Sequence, residues 1–252
     1  MSAIIRRRST NAADVREIAL DGFDLSLAKR VLDLGCGFGF MAEAVAPRVA
    51  PEAEIVGVDV WQANQPPFLE RVAAHGRRAS FNCMNVGWEL PWPDGTFDLV
   101  ICSYSLYFFA EVLPEIPRVL TPNGTFLALT HSRRDFPALA LIVGLSAPGG
   151  EWLSIISRFS AENGGSRLGR WFGQVERVNY PNTLVFGRDE IDDLLAFLHF
   201  KLPLLLPGWQ PSDELPPGVC ERARKLLSMR GKLVIEKNDA VFRCRKPRTQ
   251  FE

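Results

Sequence analysis

The chain has 252 residues, 47% of them hydrophobic, and its 29 acidic and 29 basic side chains give a formal net charge of zero. This size and apolar content predict one large folded domain, or one domain with an insertion. The balanced charge argues against nucleic-acid binding, because no basic footprint is visible at the level of the whole chain. The longest apolar runs are too short to cross a bilayer, and no secretory signal is predicted at the start.

The first half of the chain alternates between helix and strand patterns. A helix is predicted over residues 12–20, with Asn11 as its cap. Five strands are predicted at 30–34, 54–60, 81–84, 97–103 and 125–130, with helices at 40–46, 68–74 and 112–120. Strands joined by crossover helices predict a doubly wound α/β fold with a mostly parallel sheet.

The second half changes character. Residues 133–230 are too long for a simple crossover, with helix patterns near 139–146, 152–161, 190–199 and 220–229 and a further strand at 175–180. Two short alternating strands then flank Asn238 and Asp239, which predicts a hairpin. The patterns therefore divide the chain into an α/β half at 1–132, a mainly helical insertion at 133–230, and a C-terminal hairpin at 231–252.

The cysteines show neither a C-x-x-C pair nor the spacing of a zinc site. They are Cys36, Cys83, Cys102, Cys220 and Cys244. Cys83 and Cys102 fall in predicted core strands, where a free thiol packs as a small hydrophobic group. We therefore predict no metal site and a reduced, cytoplasmic compartment.

A glycine-rich turn follows the first predicted strand, in the segment VLDLGCGFGF. Gly35, Gly37 and Gly39 permit close approach of a ligand to the backbone, and Asp59 ends the next strand, where an acidic side chain can accept ribose hydroxyls. The spacing differs from the dinucleotide fingerprint G-x-G-x-x-G. Asp33 would repel a pyrophosphate and would suit a cationic ligand instead. The pattern predicts a nucleoside-bearing cofactor that also carries a positive charge.

This segment resembles the first motif of the class I S-adenosylmethionine-dependent methyltransferases, E/D-x-G-x-G-x-G. Residues 80–109, with LPWPDGTFD, resemble that family's third and fourth strands, and residues 114–132 resemble its fifth strand with the preceding helix. The resemblance covers roughly residues 30–132 and is looser beyond, where it is similar to a type 11-like, small-molecule branch. It implies a Rossmann-like sheet of seven strands, with an antiparallel C-terminal hairpin and a helical cap inserted after strand five. Residues 1–132 would then be the cofactor-binding half, residues 133–230 the substrate cap, and residues 231–252 the hairpin that completes the sheet.

The resemblance also implies a set of cofactor-binding residues. They are Asp33, Gly35, Gly37, Gly39, Asp59, Val60, Asn85, Val86 and Ser103. Asn85 stands where the family usually has aspartate, and its carbonyl oxygen can also accept a bond from the adenine amine. A loop asparagine that caps its own backbone is the alternative.

The implied function is transfer of a methyl group from S-adenosyl-L-methionine to a small, partly apolar metabolite by in-line displacement, at an O, N or C atom. Alignment of the reactants can carry most of the rate, so a base is optional. The candidates for a catalytic role are His131, Tyr104 and Tyr107, each with packing as the alternative. A non-catalytic cofactor-binding protein and a nicotinamide-dependent oxidoreductase remain open, and the acceptor and the oligomeric state are not determined.

Overall fold

The computed structural model describes residues 2–135, 137–144, 151–206, 209 and 214–248. The contacts divide the chain into two compact units. The first, here called the sheet unit, comprises Ala13–Thr130, Phe159–Asn179 and Ala240–Glu252. The second, here called the cap unit, comprises Met1–Ala12, His131–Arg158 and Tyr180–Asp239. The three domains expected from the sequence, 1–132, 133–230 and 231–252, stay a prediction.

A seven-stranded sheet forms the main body of the fold, with strands in the order β3-β2-β1-β4-β5-β9-β6. The strands are β1 Arg30–Leu34, β2 Glu54–Asp59, β3 Arg78–Cys83, β4 Phe97–Ser103, β5 Leu120–His131, β6 Phe172–Tyr180 and β9 Asp239–Pro247. The first five pair in parallel, and one strand of the seven is antiparallel. The predicted doubly wound, mostly parallel, Rossmann-like sheet is therefore confirmed.

The central strands are buried on both faces, which is why they read as nearly continuous apolar runs. Val31, Leu32 and Leu34 of β1 are fully buried. Asp33 interrupts this run, and it lies opposite Gly57 of β2 and Ile101 of β4. The strand order reverses between β1 and β4, and ligands of such sheets bind beyond the carboxyl ends of the strands at that point.

Ten helices are described along the chain. They are α1 Ser2–Arg8, α2 Val15–Leu20, α3 Phe40–Val45, α4 Gln65–Ala73, α5 Glu115–Val119, α6 Pro137–Val143, α7 Glu151–Arg158, α8 Gly164–Leu168, α9 Ile191–Leu205 and α10 Val219–Arg230. None of the helices described is long and apolar enough to cross a membrane. The expected cap of α2 was wrong: Asp14, not Asn11, accepts the bond from the Arg16 N–H, so the helix begins later.

The tail strands pair differently from the expected hairpin. β8, Lys232–Glu236, pairs antiparallel with β7, Thr183–Gly187, a strand that the sequence did not predict, whereas β9 lies in the large sheet between β5 and β6. The predicted pairing of the two tail strands with each other is thus corrected. Buried cross-strand pairs explain the outcome, since Leu233 lies opposite Phe186 in the small sheet.

The five cysteines are all free thiols. Cys102 is buried as expected, but Cys83 is exposed, which corrects its placement in the core. The reason is that β3 is the edge strand of the sheet, a position that sequence periodicity did not reveal.

Candidate active site

The three glycines between β1 and α3 all have left-handed backbone conformations, with φ of +66° at Gly35, +51° at Gly37 and +86° at Gly39. Their surroundings differ. A Cβ atom at Gly35 would lie 2.5 Å from the Ser105 hydroxyl oxygen, whereas at Gly37 it would meet no atom of the described residues within 4 Å. Gly35 is therefore required by internal packing, and Gly37 presents bare backbone at the open side of the turn.

Asp59, at the end of β2, is fixed by three hydrogen bonds. Its Oδ2 accepts from the Gly37 N–H at 2.9 Å, and its Oδ1 accepts from the Trp61 N–H at 2.9 Å and from Asn64 Nδ2 at 3.1 Å. A carboxylate offers about four acceptor positions, so capacity remains for a hydroxyl group. The structure thus joins Asp59 directly to the glycine turn, and it adds Asn64, which sequence reasoning missed because no motif marks it.

Asp33 is the most unusual group of the sheet unit. Its side chain is 1% exposed, and neither carboxyl oxygen has a hydrogen-bond partner among the described residues. Burial, with the nearby Asp59 carboxylate as the second cause, raises the pKa of Asp33 to about 7. The backbone N–H of Ala42 opposes this rise in pKa but lies outside hydrogen-bonding geometry. A buried carboxyl with no partner is suited to a cationic ligand group.

A brace of charged and aromatic side chains supports the glycine turn. The guanidinium of Arg71 lies 5.2 Å from the ring centre of Phe38, and that of Arg16 lies 5.1 Å from the ring centre of Phe40. Both arginines donate to the same oxygen of Glu43 on α3, at 2.8 and 2.9 Å. Sequence reasoning missed this brace, because its members come from three separate helices and the turn.

The end of β4 carries Ser103 and Tyr104. The Ser103 hydroxyl oxygen is buried and has no hydrogen-bond partner in the described parts of the chain. Tyr104 has a φ of +57°, which is rare for a bulky residue and costs on the order of 1–3 kcal/mol. Its N–H donates to the Leu129 carbonyl at 2.8 Å, which holds this conformation. Tyr107, in contrast, is buried and packs against Phe108.

The loop after β3 brings further expected residues to the edge where β2 ends. The Met84 N–H donates to the Asp59 carbonyl at 3.0 Å, which ties the start of this loop to β2. Asn85, the next residue, is exposed, and Val86 is half-buried. Val60 and Trp61 are exposed beside Asp59, at 53% and 46%. These side chains are available to contact a ligand at the edge.

His131 lies in the cap unit and is buried. Its Nδ1 is 2.8 Å from Asp239 Oδ1, and its Nε2 is 3.1 Å from Lys201 Nζ. Burial, followed by the Lys201 charge, lowers the pKa of His131 to about 3, and Asp239 only partly opposes this. The geometry fits a neutral ring whose Nδ1–H donates to Asp239 and whose Nε2 accepts from Lys201. Both ring nitrogens therefore have hydrogen-bond partners.

A small group of buried charges surrounds His131. Burial raises the pKa of Asp135 to about 7 and lowers that of Lys201 to about 8. Ligand-type atoms of His131, Asp135 and Asp239 lie within 4.8 Å of one another. Two ammonium groups oppose a cation there, because Lys237 bonds to Asp239 and Lys201 bonds to the histidine. Sequence reasoning identified only His131 of this group, since the members lie far apart along the chain.

The reversed strand order, the glycine turn and Asp59 define a Rossmann-like α/β domain with its candidate site at the switch point. Residues 31–124 match a family model described as a methyltransferase domain. A demethylmenaquinone methyltransferase of Symbiobacterium thermophilum is 34% identical over 107 residues, covering 41% of this chain and 43% of that protein. One of Thermus thermophilus is 37% identical over 118 residues, covering 42% and 50%. These matches identify residues 31–124 as similar in sequence to methyltransferase domains.

These relatives match only in part, since the chain spans about half the length of the curated proteins or less. Among solved structures, the [4+2]-cyclase SpnF superposes with a TM-score of 0.55 at 21% identity, covering 92% of this chain and 80% of that one. At this identity the likeness concerns the fold alone.

Proposed function

We propose that this protein binds S-adenosylmethionine and transfers its methyl group to a small, partly apolar metabolite. The observation that carries the proposal is the arrangement of Asp33, Gly37 and Asp59 at one edge of the sheet. It combines a buried acidic group without a partner, a bare stretch of backbone and a fixed carboxylate. The buried acidic group fits the ammonium of this cofactor, the bare backbone fits its methionine part, and the fixed carboxylate fits its ribose.

The residues of the sheet unit would hold the cofactor as follows. Asp33 would face its ammonium group, the backbone at Gly37 would lie against its methionine part, and Asp59 would accept a ribose hydroxyl. Asn85 and Val86, with Val60, would contact the adenine. The Ser103 hydroxyl, buried without a partner, supplies a further polar contact at the edge. When bound, the cofactor supplies a methyl group that its sulfonium makes strongly electrophilic.

The rate would arise from alignment of the two reactants and exclusion of water, which can supply most of the acceleration. We assign His131 a structural role, because both of its nitrogens are hydrogen bonded and its pKa of about 3 leaves it a weak base. Tyr104 remains the candidate for contact with the acceptor, since it is half-buried at the edge in a strained conformation. We assign Tyr107 to core packing.

A quinone-type ring is the acceptor class to test first. Two of the similar proteins are named for a demethylmenaquinone substrate, although the matched domain, residues 31–124, covers the cofactor side of the site. The sheet unit itself carries exposed aromatic side chains near the ends of its strands, with Trp88 at 76% and Trp61 at 46% exposure. Such side chains favour an apolar, planar acceptor over a highly charged one.

The experiment combines binding and turnover. Calorimetric titration with S-adenosylmethionine and with NAD separates the two cofactor classes, and release of S-adenosylhomocysteine is then measured with quinols, phenols and amines. Binding of S-adenosylmethionine with turnover of one acceptor class supports the proposal. Binding without turnover of any acceptor favours the non-catalytic rival, and preference for NAD favours an oxidoreductase. The likeness to a cyclase shows why turnover must be measured, because this fold also occurs in a protein named for another reaction.

A further inference from the structure

The surroundings of the Asp33 carboxyl do not hold it in a single protonation state. The side chain is buried near the carboxyl end of β1, between β2 and β4, and no hydrogen-bond donor of the described chain reaches either oxygen. An ionised carboxylate in such a place loses its hydration without compensation, so the neutral form is favoured until a cation arrives. The group is therefore poised between two protonation states.

Among the described residues, no side chain near Asp33 compensates the negative charge of its ionised form. Asp59, on β2, carries a like charge and disfavours ionisation. The Cys36 thiol in the glycine turn and the Cys102 thiol on β4 are both neutral, because burial raises the pKa of each far above its usual range. From α3 only the backbone N–H of Ala42 favours the charged form. No side-chain cation is among the groups that shift the pKa of Asp33.

We propose that binding of the cofactor's ammonium group ionises Asp33, so that the protein takes up S-adenosylmethionine with release of a proton and its affinity rises with pH. This inference rests on the proposed function. The bond changes balance simply: the Asp33 O–H proton passes to the solvent, and the resulting carboxylate pairs with the ammonium. The cofactor would supply the counter-charge that the described residues do not provide at Asp33.

The size of the effect follows from the linkage between proton and ligand. The pKa of Asp33 in the free protein is about 7. If only the ionised form binds, the affinity rises about 16-fold between about pH 5.5 and 7.0, and about half a proton is released per cofactor bound at pH 7. The cofactor's own amino group stays mostly protonated over this range, because a free α-amino group titrates near 7.7–8.0, roughly.

The test is calorimetric titration of the full chain with S-adenosylmethionine at several pH values from about 5.5 to 7.0, with buffers of different ionisation enthalpy at the highest pH. Three comparisons accompany it. Asp33→Asn is expected to bind more weakly and without dependence on pH. Asp135→Asn is the matched control, since it removes another buried aspartate with a pKa of about 7, in the cap unit, and should keep the full dependence. S-adenosylhomocysteine carries the same ammonium without the sulfonium, and its affinity should show the same slope.

The outcomes separate this inference from the function on which it rests. Binding with the expected slope, lost in Asp33→Asn and kept in Asp135→Asn, supports it. Tight binding without dependence on pH overturns the proton linkage and leaves the proposed function standing. A slope that persists in Asp33→Asn, or that is absent with S-adenosylhomocysteine, places the titrating contact elsewhere and overturns the inference. No binding of either ligand at any pH overturns both.

Discussion

Substitution of the glycines in the turn after β1 should separate ligand binding from stability. Gly35 and Gly37 both have positive φ, so an alanine at either position costs about 1–2 kcal/mol for the left-handed backbone. At Gly37 nothing is added, since the new Cβ meets no described atom within 4 Å. At Gly35 the Cβ would also press on Ser105, 2.5 Å from its oxygen and closer still to its Cβ. Overpacking of this kind adds about 1–3 kcal/mol.

We therefore expect Gly35→Ala to lower the free energy of unfolding by about 2–5 kcal/mol and Gly37→Ala by about 1–2 kcal/mol. Relative to this loss of stability, Gly37→Ala should weaken cofactor binding more than Gly35→Ala does. The Gly37 Cβ enters the space that the cofactor needs, so the affinity of Gly37→Ala should fall at least about tenfold, or 1.4 kcal/mol. Urea denaturation measures the first quantity, and calorimetric titration of the folded variants with S-adenosylmethionine measures the second.

A double variant tests the contact itself. Ser105→Gly removes the atoms that the Gly35→Ala methyl would meet, so the pair should show a favourable coupling of roughly 0.5–3 kcal/mol in a double-mutant cycle. Two results would refute the reasoning: equal stability of the Gly35→Ala and Gly37→Ala variants, or affinity of Gly37→Ala equal to that of the unmodified protein. The second would show that the turn does not touch the cofactor.

Three further outcomes are expected. Asp59→Ala should weaken cofactor binding by roughly 2–4 kcal/mol, through lost bonding to the ribose and a freed Gly37 N–H. Asp24→Ala, which removes an exposed carboxylate bonded to Ser26, is the control, and calorimetry should find its affinity for the cofactor unchanged. Lys201 has a folded-state pKa lowered to about 8, so the folded protein binds fewer protons than the unfolded chain, and stability should rise with pH from about 8 to 10.5 by about 3 kcal/mol. Denaturation of Lys201→Met across this range should lack the rise, and an identical rise in the variant would contradict the assignment. His131→Gln should leave the pH profile of turnover between about pH 6 and 7 superimposed on that of the unmodified protein, and loss of a limb there would restore His131 as a base.

Local patterns determined much of the fold and the positions of the glycine turn and Asp59 in the candidate site. β1 and β4 lie where the sequence predicted them, because a run of apolar residues bounded by glycine or polar residues specifies a buried parallel strand over a short distance. The glycine turn and Asp59 were also expected, since positive φ and close ligand approach restrict a few positions to one residue type. Those positions are local, so neighbouring residues alone identify them.

Contacts between distant residues decided the rest. β8 pairs with β7 rather than with β9, because Leu233 and Ile235 are buried against Phe186 and Leu184, some fifty positions earlier in the chain. His131 became a hydrogen-bonded member of a buried charge group through Lys201, 70 residues away, and Asp239, 108 residues away. The raised pKa of Asp33 likewise depends on its burial away from any hydrogen-bond donor of the described residues. Pairing energy and burial belong to the assembled structure, and no periodicity in the sequence reports them.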